Sequence, residues 1–251
     1  MTSVSTPSLT FGATSGTKTI TSNGKTIDSP ILFNGVNGTW QLQDNLTVGA
    51  TRTTFLTVGT LDINGKTLNT GIFSSSNAST RAIAFGAGYI NLTYGTSATT
   101  VLDITNATSF TSSGTGGFSS SMSVTATFTC GTTGGTATNA ANLFLNGGSA
   151  IATITTGSYF KIINFTGYSG TPAVSTLYLS GLTLSSGGTY TNLTIKTVGN
   201  GTITSNGKSI ASLETGYAPP GGGSTSASTI TTALLGTGIG TASTTPTGNN
   251  D

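Results

Sequence analysis

Acidic residues are the first candidates for chemistry, because a chain without histidine depends on carboxylates for acid–base catalysis. Asp62 and Asp103 occupy the same place in a repeated Leu-Asp-Ile triplet, with a sequence separation of 103 − 62 = 41. In a chain that coils every ~20 residues, the two carboxylates would lie two coils and about 10 Å apart. That separation suits an inverting glycosidase. The alternative is that both simply face solvent beside a corner, and we expect no catalytic residue.

Other catalytic and ligand-binding groups are scarce. The absence of histidine excludes Ser-His-Asp and Cys-His catalysis and every imidazole metal ligand. Cys130 is the single cysteine, so we expect no disulfide within one chain and interpret it as a small buried apolar residue. The glycines match no phosphate-loop or dinucleotide pattern. We therefore expect no metal and no cofactor.

An Asn-Gly-Lys tripeptide occurs three times and places Lys25, Lys66 and Lys208 directly after a turn. A row of amines along one edge would contact an acidic neighbour or an anionic glycan. The alternative is that these lysines serve solubility and oppose edge-to-edge stacking. The eight basic residues are scattered along the chain, so we expect no nucleic-acid partner.

Aromatic and hydroxyl side chains offer two further surfaces. Five aromatic residues could line a glycan groove or belong to the core or an interface: Trp40, Tyr89, Tyr94, Tyr159 and Tyr178. Three Thr-x-Thr pairs resemble the threonine arrays of ice-binding solenoids: Thr19/Thr21, Thr153/Thr155 and Thr202/Thr204. Outward threonine is expected in any β-solenoid, so the pairs alone do not indicate that activity.

The elements that position these residues repeat along the chain. Thr60–Leu68 (TLDINGKTL) has near-copies at Thr19–Ile27 and Thr202–Ile210 and a fainter one at Asn142–Ser149. The differences between successive Asn-Gly positions are 64 − 23 = 41, 146 − 64 = 82 and 206 − 146 = 60. A period of about 20 residues fits all three and indicates a solenoid. We expect Asn23, Asn64, Asn146 and Asn206 to lie near one corner, where amides could form a ladder.

Composition predicts that the repeats are strands. Only 6% of the residues are charged, while Val, Ile, Thr, Phe and Tyr are plentiful and alternate with polar residues. Inward ladders are expected to contain Ile20, Leu61, Leu102 and Leu143. Asn-Gly also favours antiparallel hairpins, but hairpins do not explain a period near 20. The predicted fold is all-β: a right-handed parallel β-helix of about 20 residues per coil, with open ends that favour oligomers.

The solenoid is expected to span residues 11–212, between two polar extensions. Residues 1–10 form an N-terminal arm, and residues 213–251 form a Gly/Pro/Ser/Thr-rich tail. In the tail, Leu234, Leu235 and Ile239 are the expected anchors to a neighbouring protein. The N-terminus shows no signal-peptide pattern, and no apolar run is long enough to span a membrane.

Two segments resemble a known class of protein. Gly38–Leu68 carries Gly-Thr-Trp-x-Leu-x-Asp, then Leu-Thr-x-Gly, then Gly-Thr-Leu-Asp-x-Asn-Gly-Lys-x-Leu. Phe73–Thr93 continues with Phe-Ser-Ser-Ser-Asn and Arg-x-Ile-Ala-Phe-Gly. Together they resemble a β-helical module found in structural proteins of tailed bacteriophages. The likeness is good over residues 18–93, whereas residues 94–212 share only the general character of the module.

The resemblance implies a non-enzymatic virion protein, made in the host cytoplasm and assembled as a homotrimer on the particle surface. Its first expected role is capsid decoration, or cement, bound to the major capsid protein or another virion protein. A short tail fibre or receptor-binding protein that contacts a host glycan is the alternative. A glycan-degrading tailspike, which needs a carboxylate cluster, and a secreted bacterial adhesin rank after these.

Overall fold

The computed structural model describes residues 7–96, 99–174, 176–190, 193–206, 208, 212–214 and 242–243. These residues form strands and turns and contain no helix, hence none long and apolar enough to cross a membrane. The strands are β1 Leu9–Phe11, β2 Thr17–Ile20, β3 Thr26–Ile27, β4 Ile31–Leu42, β5 Leu46–Val48, β6 Thr53–Asp62, β7 Thr67–Thr70, β8 Ile72–Ser74, β9 Arg81–Gly86, β10 Tyr89–Leu92, β11 Thr99–Asn106, β12 Phe110–Gly114, β13 Gly117–Ser120, β14 Ala126–Thr133, β15 Leu143–Leu145, β16 Ala152–Ile154, β17 Tyr159–Asn164, β18 Thr176–Thr183, β19 Thr194–Thr204, β20 Ser212–Glu214 and β21 Ala242–Ser243.

Parallel pairing between successive coils builds the molecule. One sheet has ten strands and the other eleven, and every strand pair within the described residues is parallel. The sheets stack as a β-solenoid of about eight turns. The predicted all-β parallel β-helix is thus confirmed as a fold class. The antiparallel hairpin alternative is wrong, because the Asn-Gly turns at Asn23 and Asn64 join strands of different sheets instead of paired neighbours.

Each early coil passes through three strand segments, which we call the first, second and third runs. The first run contains β1, residues 31–33, residues 53–56 and β8, and it continues through residues 102–103, β14 and β16. The second run contains β2, residues 39–42, residues 59–62, β9 and β12. The third run contains β3, β5, β7, β10, β13, β15 and residues 163–164, 181–183 and 202–204. β4 and β6 are long enough to supply both the first and second runs.

The core lies inside the three runs and follows the alternation seen in the sequence. The aliphatic residues expected to point inward, Ile20, Leu61, Leu102 and Leu143, are all buried. Burial of each such side chain contributes roughly 1.5–3 kcal/mol. They do not form one ladder, however: Leu61 pairs with Trp40, whereas Leu102 pairs with Phe73 in another run.

The coil size changes along the stack. Paired residues are 22 apart in early coils, as for Tyr89 and Thr67 (89 − 67), and 29 apart for Phe110 and Arg81 (110 − 81). Near the C-terminal end the spacing falls to 19 for Tyr178 and Tyr159 (178 − 159). Two copies of a sequence repeat therefore lie above one another only where the coils between them contain as many residues as separate the copies.

The four asparagines expected at one corner lie at two corners. Asn23 and Asn64 connect the second run to the third, and both adopt positive φ (52°) followed by a glycine, which closes a tight turn. Asn146 follows β15, and Asn206 follows residues 202–204, so both come after the third run. The enlarged coils between them displace the later repeats from the earlier register.

The N-terminal end of the solenoid begins inside the predicted arm. Leu9 and Thr10 pair with Ile31 and Leu32, and Phe11 stacks on Phe33 with ring centroids 5.1 Å apart. A lysine lies over the core at this end, because Lys18 pairs with the buried Trp40. A charged residue in an inward register protects an open edge against further strand addition.

Candidate functional site

The two aspartates considered for catalysis are not brought together. Asp62 pairs with Ala84 in the second run, whereas Asp103 pairs with Ser74 in the first run. The expected stack of carboxylates is therefore wrong. The reason is the enlarged coil: above Asp62 the pairing leads first to Ala84 (84 − 62 = 22) and then to Ser113 (113 − 84 = 29), and not to Asp103.

Each aspartate instead makes its own local hydrogen bonds. Asp62 Oδ1 accepts the backbone amide of Asn64 at 2.9 Å, and Asp62 Oδ2 accepts Gln41 Nε2 at 2.8 Å. Asp103 Oδ1 accepts the backbone amide and the hydroxyl of Thr105 at 3.1 and 2.8 Å. Such side-chain bonds to the backbone two residues later are local structural contacts. Asp62 holds the turn at Asn64, whereas Asp103 and Thr105 both lie within β11.

The three lysines share a local turn but not one edge. The backbone amides of Lys25, Lys66 and Lys208 each donate to the carbonyl three residues earlier. Lys25 is exposed and Lys66 half-buried at the corner between the second and third runs, two coils apart. Lys208 follows the third run and lies at another corner, so the expected row of three amines is wrong. Leu234, Leu235 and Ile239 lie outside the described residues.

The amide ladder expected from Asn23, Asn64, Asn146 and Asn206 is wrong, because these residues lie at two corners. A different hydrogen-bonded row lies on a strand face. Asn69 Nδ2 donates to Thr47 Oγ1 at 3.4 Å, Asn91 Nδ2 to Asn69 Oδ1 at 3.1 Å, and Ser119 Oγ to Asn91 Oδ1 at 3.3 Å. These side chains belong to four successive coils of the third run. The spacing of Asn69 and Asn91, 91 − 69 = 22, is the sequence signal that would have found this row.

The threonine pairs do not form a shared array. Thr19 pairs with Gln41 in the second run, and Thr153 pairs with Thr127 in the first. Thr202 pairs with Gly181 in the third run. Because the three pairs belong to three different runs, they do not make the regular threonine surface of an ice-binding solenoid.

Two of the five aromatic candidates meet at a small pocket. Tyr159 and Tyr178 are paired residues whose rings are parallel within 2°, with centroids 6.4 Å apart. The pocket has a volume of about 150 Å³ and is lined by Gly131, Thr132, Gly134, Gly135, Gly157, Tyr159 and Tyr178. Gly131, Gly134 and Gly157 have positive φ, so the backbone approaches the rings without side chains between them.

Tyr159 lies beside this glycine-rich segment. Tyr159 is 1% exposed, and its hydroxyl has no hydrogen-bond partner of normal geometry within the described part of the chain. Burial raises the pKa of Tyr159, and the nearby Ser180 side chain opposes that rise. A buried polar atom beside an aromatic stack and a cleft is an arrangement that small polar ligands use. Of the other candidates, Trp40 is in the core, and Tyr89 packs edge-on against Phe144.

A buried basic group lies where the coil is largest. The guanidinium of Arg81 donates to the carbonyls of Ser75, Ser79 and Asn106, and its carbon lies 5.7 Å from the centre of the Phe110 ring. Burial lowers the pKa of Arg81. Burial also raises the pKa of Cys130 to about 12, which keeps the thiol protonated and unreactive.

No metal-binding cluster forms among the residues that the structure describes. Comparison of the chain with protein-family models, with curated proteins and with solved structures finds no match.

Proposed function

We propose that this chain is a structural protein of a tailed-bacteriophage particle, assembled as a homotrimer on the particle surface, with capsid decoration as its first role. The sequence motif that carries the resemblance, Gly38–Thr93, spans β4 to β10, which are coils of the solenoid. The proposal includes a right-handed stack with coils of about 20 residues.

The observation that carries the proposal is a continuous parallel stack of about eight turns with hydroxyl and amide groups on its outside. Successive coils are hydrogen-bonded to one another, so the element should resist force applied across its axis, which suits a component of a particle surface. With only 6% charged residues, electrostatic repulsion between copies is weak. Packing of many copies on one particle is compatible with such a surface.

Exposed apolar groups support an oligomer. Val36, Phe55, Ile151 and Ile162 have exposed fractions of 59, 37, 48 and 41%. Large aliphatic and aromatic side chains at these exposures are commonly covered in an assembly. The trimer is expected to contact the major capsid protein through the C-terminal tail, with Leu234, Leu235 and Ile239 as anchors.

The test is to locate the protein on purified particles. Peptides from this chain should copurify with virions, and Fab fragments against the folded solenoid should label the capsid surface in cryo-EM. Deletion of 217–251 should leave the solenoid folded but weaken its attachment to the particle and so reduce labelling. Labelling confined to the tail tip would favour the tail-fibre alternative, and absence of the protein from particles would refute the proposal.

The Tyr159–Tyr178 pocket favours a second candidate, a receptor-binding protein that contacts a host glycan. Its volume of about 150 Å³ admits one sugar ring at most, which could stack on a tyrosine. Saturation-transfer NMR with methyl hexopyranosides should show transfer to the sugar from the wild type and from Tyr178→Phe, but not from Tyr178→Ala. Equal signals in all three proteins, or none in any, would exclude this site.

A further inference from the structure

The C-terminal end of the eleven-stranded sheet is covered by a short strand from the chain's own tail. One edge of β20, Ser212–Glu214, pairs with β19, and its other edge pairs with β21, Ala242–Ser243. The pairing is parallel, with Leu213 opposite Ala242 and Glu214 opposite Ser243. Residues 242–243 therefore lie on the solenoid, although they belong to the Gly/Pro/Ser/Thr-rich tail of the sequence.

The residue types along the register suit β21 as a final layer. One column of paired residues runs from Leu177 through Ile195 and Leu213 to Ala242. Leu177 and Ile195 are fully buried. The column stays apolar and ends with the smallest apolar side chain that it contains. An end layer of this kind leaves less apolar area in contact with water than another large aliphatic residue would.

The backbone of β20 needs such a cover. Each strand of a solenoid is an edge until the next coil pairs with it, and an unpaired edge is a template for strands of other molecules. Within the described part of the chain, β21 is the one strand that pairs with this edge of β20. Without β21, the backbone amides and carbonyls of Ser212–Glu214 on that side would be open to an extended segment that can add as a further strand.

β21 itself is a poor template for another strand. It has only two residues, and Pro246 lies three residues after Ser243. Very short edge strands and nearby proline both oppose strand addition, because proline has no backbone N–H to donate. Among the described residues, no strand pairs with the outer edge of β21. The sheet therefore ends on a strand that extends poorly.

The chain has enough residues to make the return to its own last coil. Glu214 and Ala242 are separated by 242 − 214 − 1 = 27 residues, and an extended chain of that length reaches about 90 Å. The offset between the paired residues Leu213 and Ala242 is 242 − 213 = 29, which equals the offset of the enlarged coil, 110 − 81 = 29. One molecule can therefore place β21 on its own β20.

We infer that Ala242–Ser243 is a cap that the chain folds back onto its own last coil, where it blocks the addition of strands from other molecules. The cap is distinct from the expected anchors Leu234, Leu235 and Ile239, which precede it in the sequence. The inference does not depend on the location of the protein on a phage particle.

Two deletions separate the cap from the rest of the tail. Deletion of 242–251 removes β21, whereas the control deletion of 246–251 keeps it, and both keep the expected anchors. Hydrogen–deuterium exchange follows the amides of Ser212–Glu214, and light scattering follows the mass as the protein concentration rises. Deletion of 242–251 should speed the exchange of these amides about tenfold or more and give a mass that grows with concentration. The control deletion should match the wild type in both measurements.

A double substitution tests the same cap at full chain length. Successive backbone N–H groups of a strand point to opposite sides, so Ala242→Pro with Ser243→Pro removes whichever N–H of β21 faces β20. This variant should reproduce both effects of the deletion of 242–251. Asn249→Pro with Asn250→Pro lies outside β21 and is the matched control. If the shortened protein does not fold by circular dichroism, the two full-length variants decide.

Three outcomes overturn the inference. Unchanged exchange of Ser212–Glu214 after loss of β21 would show that Ala242–Ser243 does not cover the edge. Equal effects in the controls would remove the assignment to these two residues. Faster exchange without any growth in mass would refute the block on strand addition.

Discussion

Replacement of Arg81 by methionine is expected to destabilise the solenoid by about 3 kcal/mol. Arg81 is 1% exposed and donates hydrogen bonds to the carbonyls of Ser75, Ser79 and Asn106. Methionine keeps most of the length but leaves these acceptors without their donor. An unsatisfied buried acceptor costs about 1–3 kcal/mol, and Ser75 is the most buried of the three. Loss of the contact with Phe110 adds about 0.5–2 kcal/mol.

A counter-effect lowers the total. The charge of Arg81 is buried without a carboxylate among its contacts in the described chain, and removing a buried charge returns part of its desolvation cost. We therefore expect the free energy of unfolding to fall by about 3 kcal/mol, which is less than the full sum of the lost contacts.

Urea unfolding, followed by circular dichroism and by the fluorescence of Trp40, measures the effect. Trp40 is the single tryptophan and is 1% exposed, so its emission reports opening of the core. Arg52→Met is the matched control, because Arg52 makes an exposed ion pair with Asp28 at 2.9 Å and should change stability little. A loss below about 1 kcal/mol in Arg81→Met would refute the view that this residue supports the enlarged coil.

Three further predictions concern single side chains. On incubation at high pH, Asn23 should deamidate before Asn64. The reason is that the Asn64 side-chain amide donates to the Leu42 carbonyl at 2.9 Å, whereas the Asn23 side chain makes no hydrogen bond in the described chain. Peptide mapping in which Asn64 reacts first would contradict this prediction. Cys130, with its pKa raised to about 12 by burial, should react with a thiol reagent only after unfolding, and rapid labelling of the native protein would disprove its burial. The Ser22 backbone amide lowers the pKa of Asp44 below 3.8, so the stabilisation is complete above that pH and is lost as pH falls through the lowered value. On acid titration, Asp44→Asn should lose less stability than the wild type as the pH falls below 3.8. Identical curves for the two proteins would show that the Ser22–Asp44 contact does not contribute to acid stability.

Much of the fold could be predicted because alternation and repeat length act locally. The inward positions of Leu61 and Leu143 follow from period-two patterning, and the stacked coils follow from repeats that hairpins do not explain. The Asn-Gly turns were also predictable, since Asn64 and the following glycine adopt the positive φ angles that a tight turn requires.

Register between distant repeats could not be predicted, because it depends on how many residues each intervening coil contains. The coil that begins near Arg81 is longer than the earlier ones, with a pairing offset of 110 − 81 = 29 against 89 − 67 = 22, and this difference moves Asp103 to a different face from Asp62. The Tyr159–Tyr178 contact joins positions that are 178 − 159 = 19 apart, which a uniform period near 20 does suggest. The glycines between Gly131 and Gly135 that line the pocket beside these rings belong to an irregular segment, and the periodic pattern of the sequence does not predict such a segment.

The direction of the interstrand hydrogen bonds has a mechanical consequence. Because these bonds run along the stack, a force that pulls the two ends apart loads one row at a time, and the chain should peel off coil by coil. An early coil, whose paired residues are 22 apart, would release about 75 Å of chain in each step. A force applied across the stack meets many rows at once, so the same protein should yield easily along its axis and resist strongly across it.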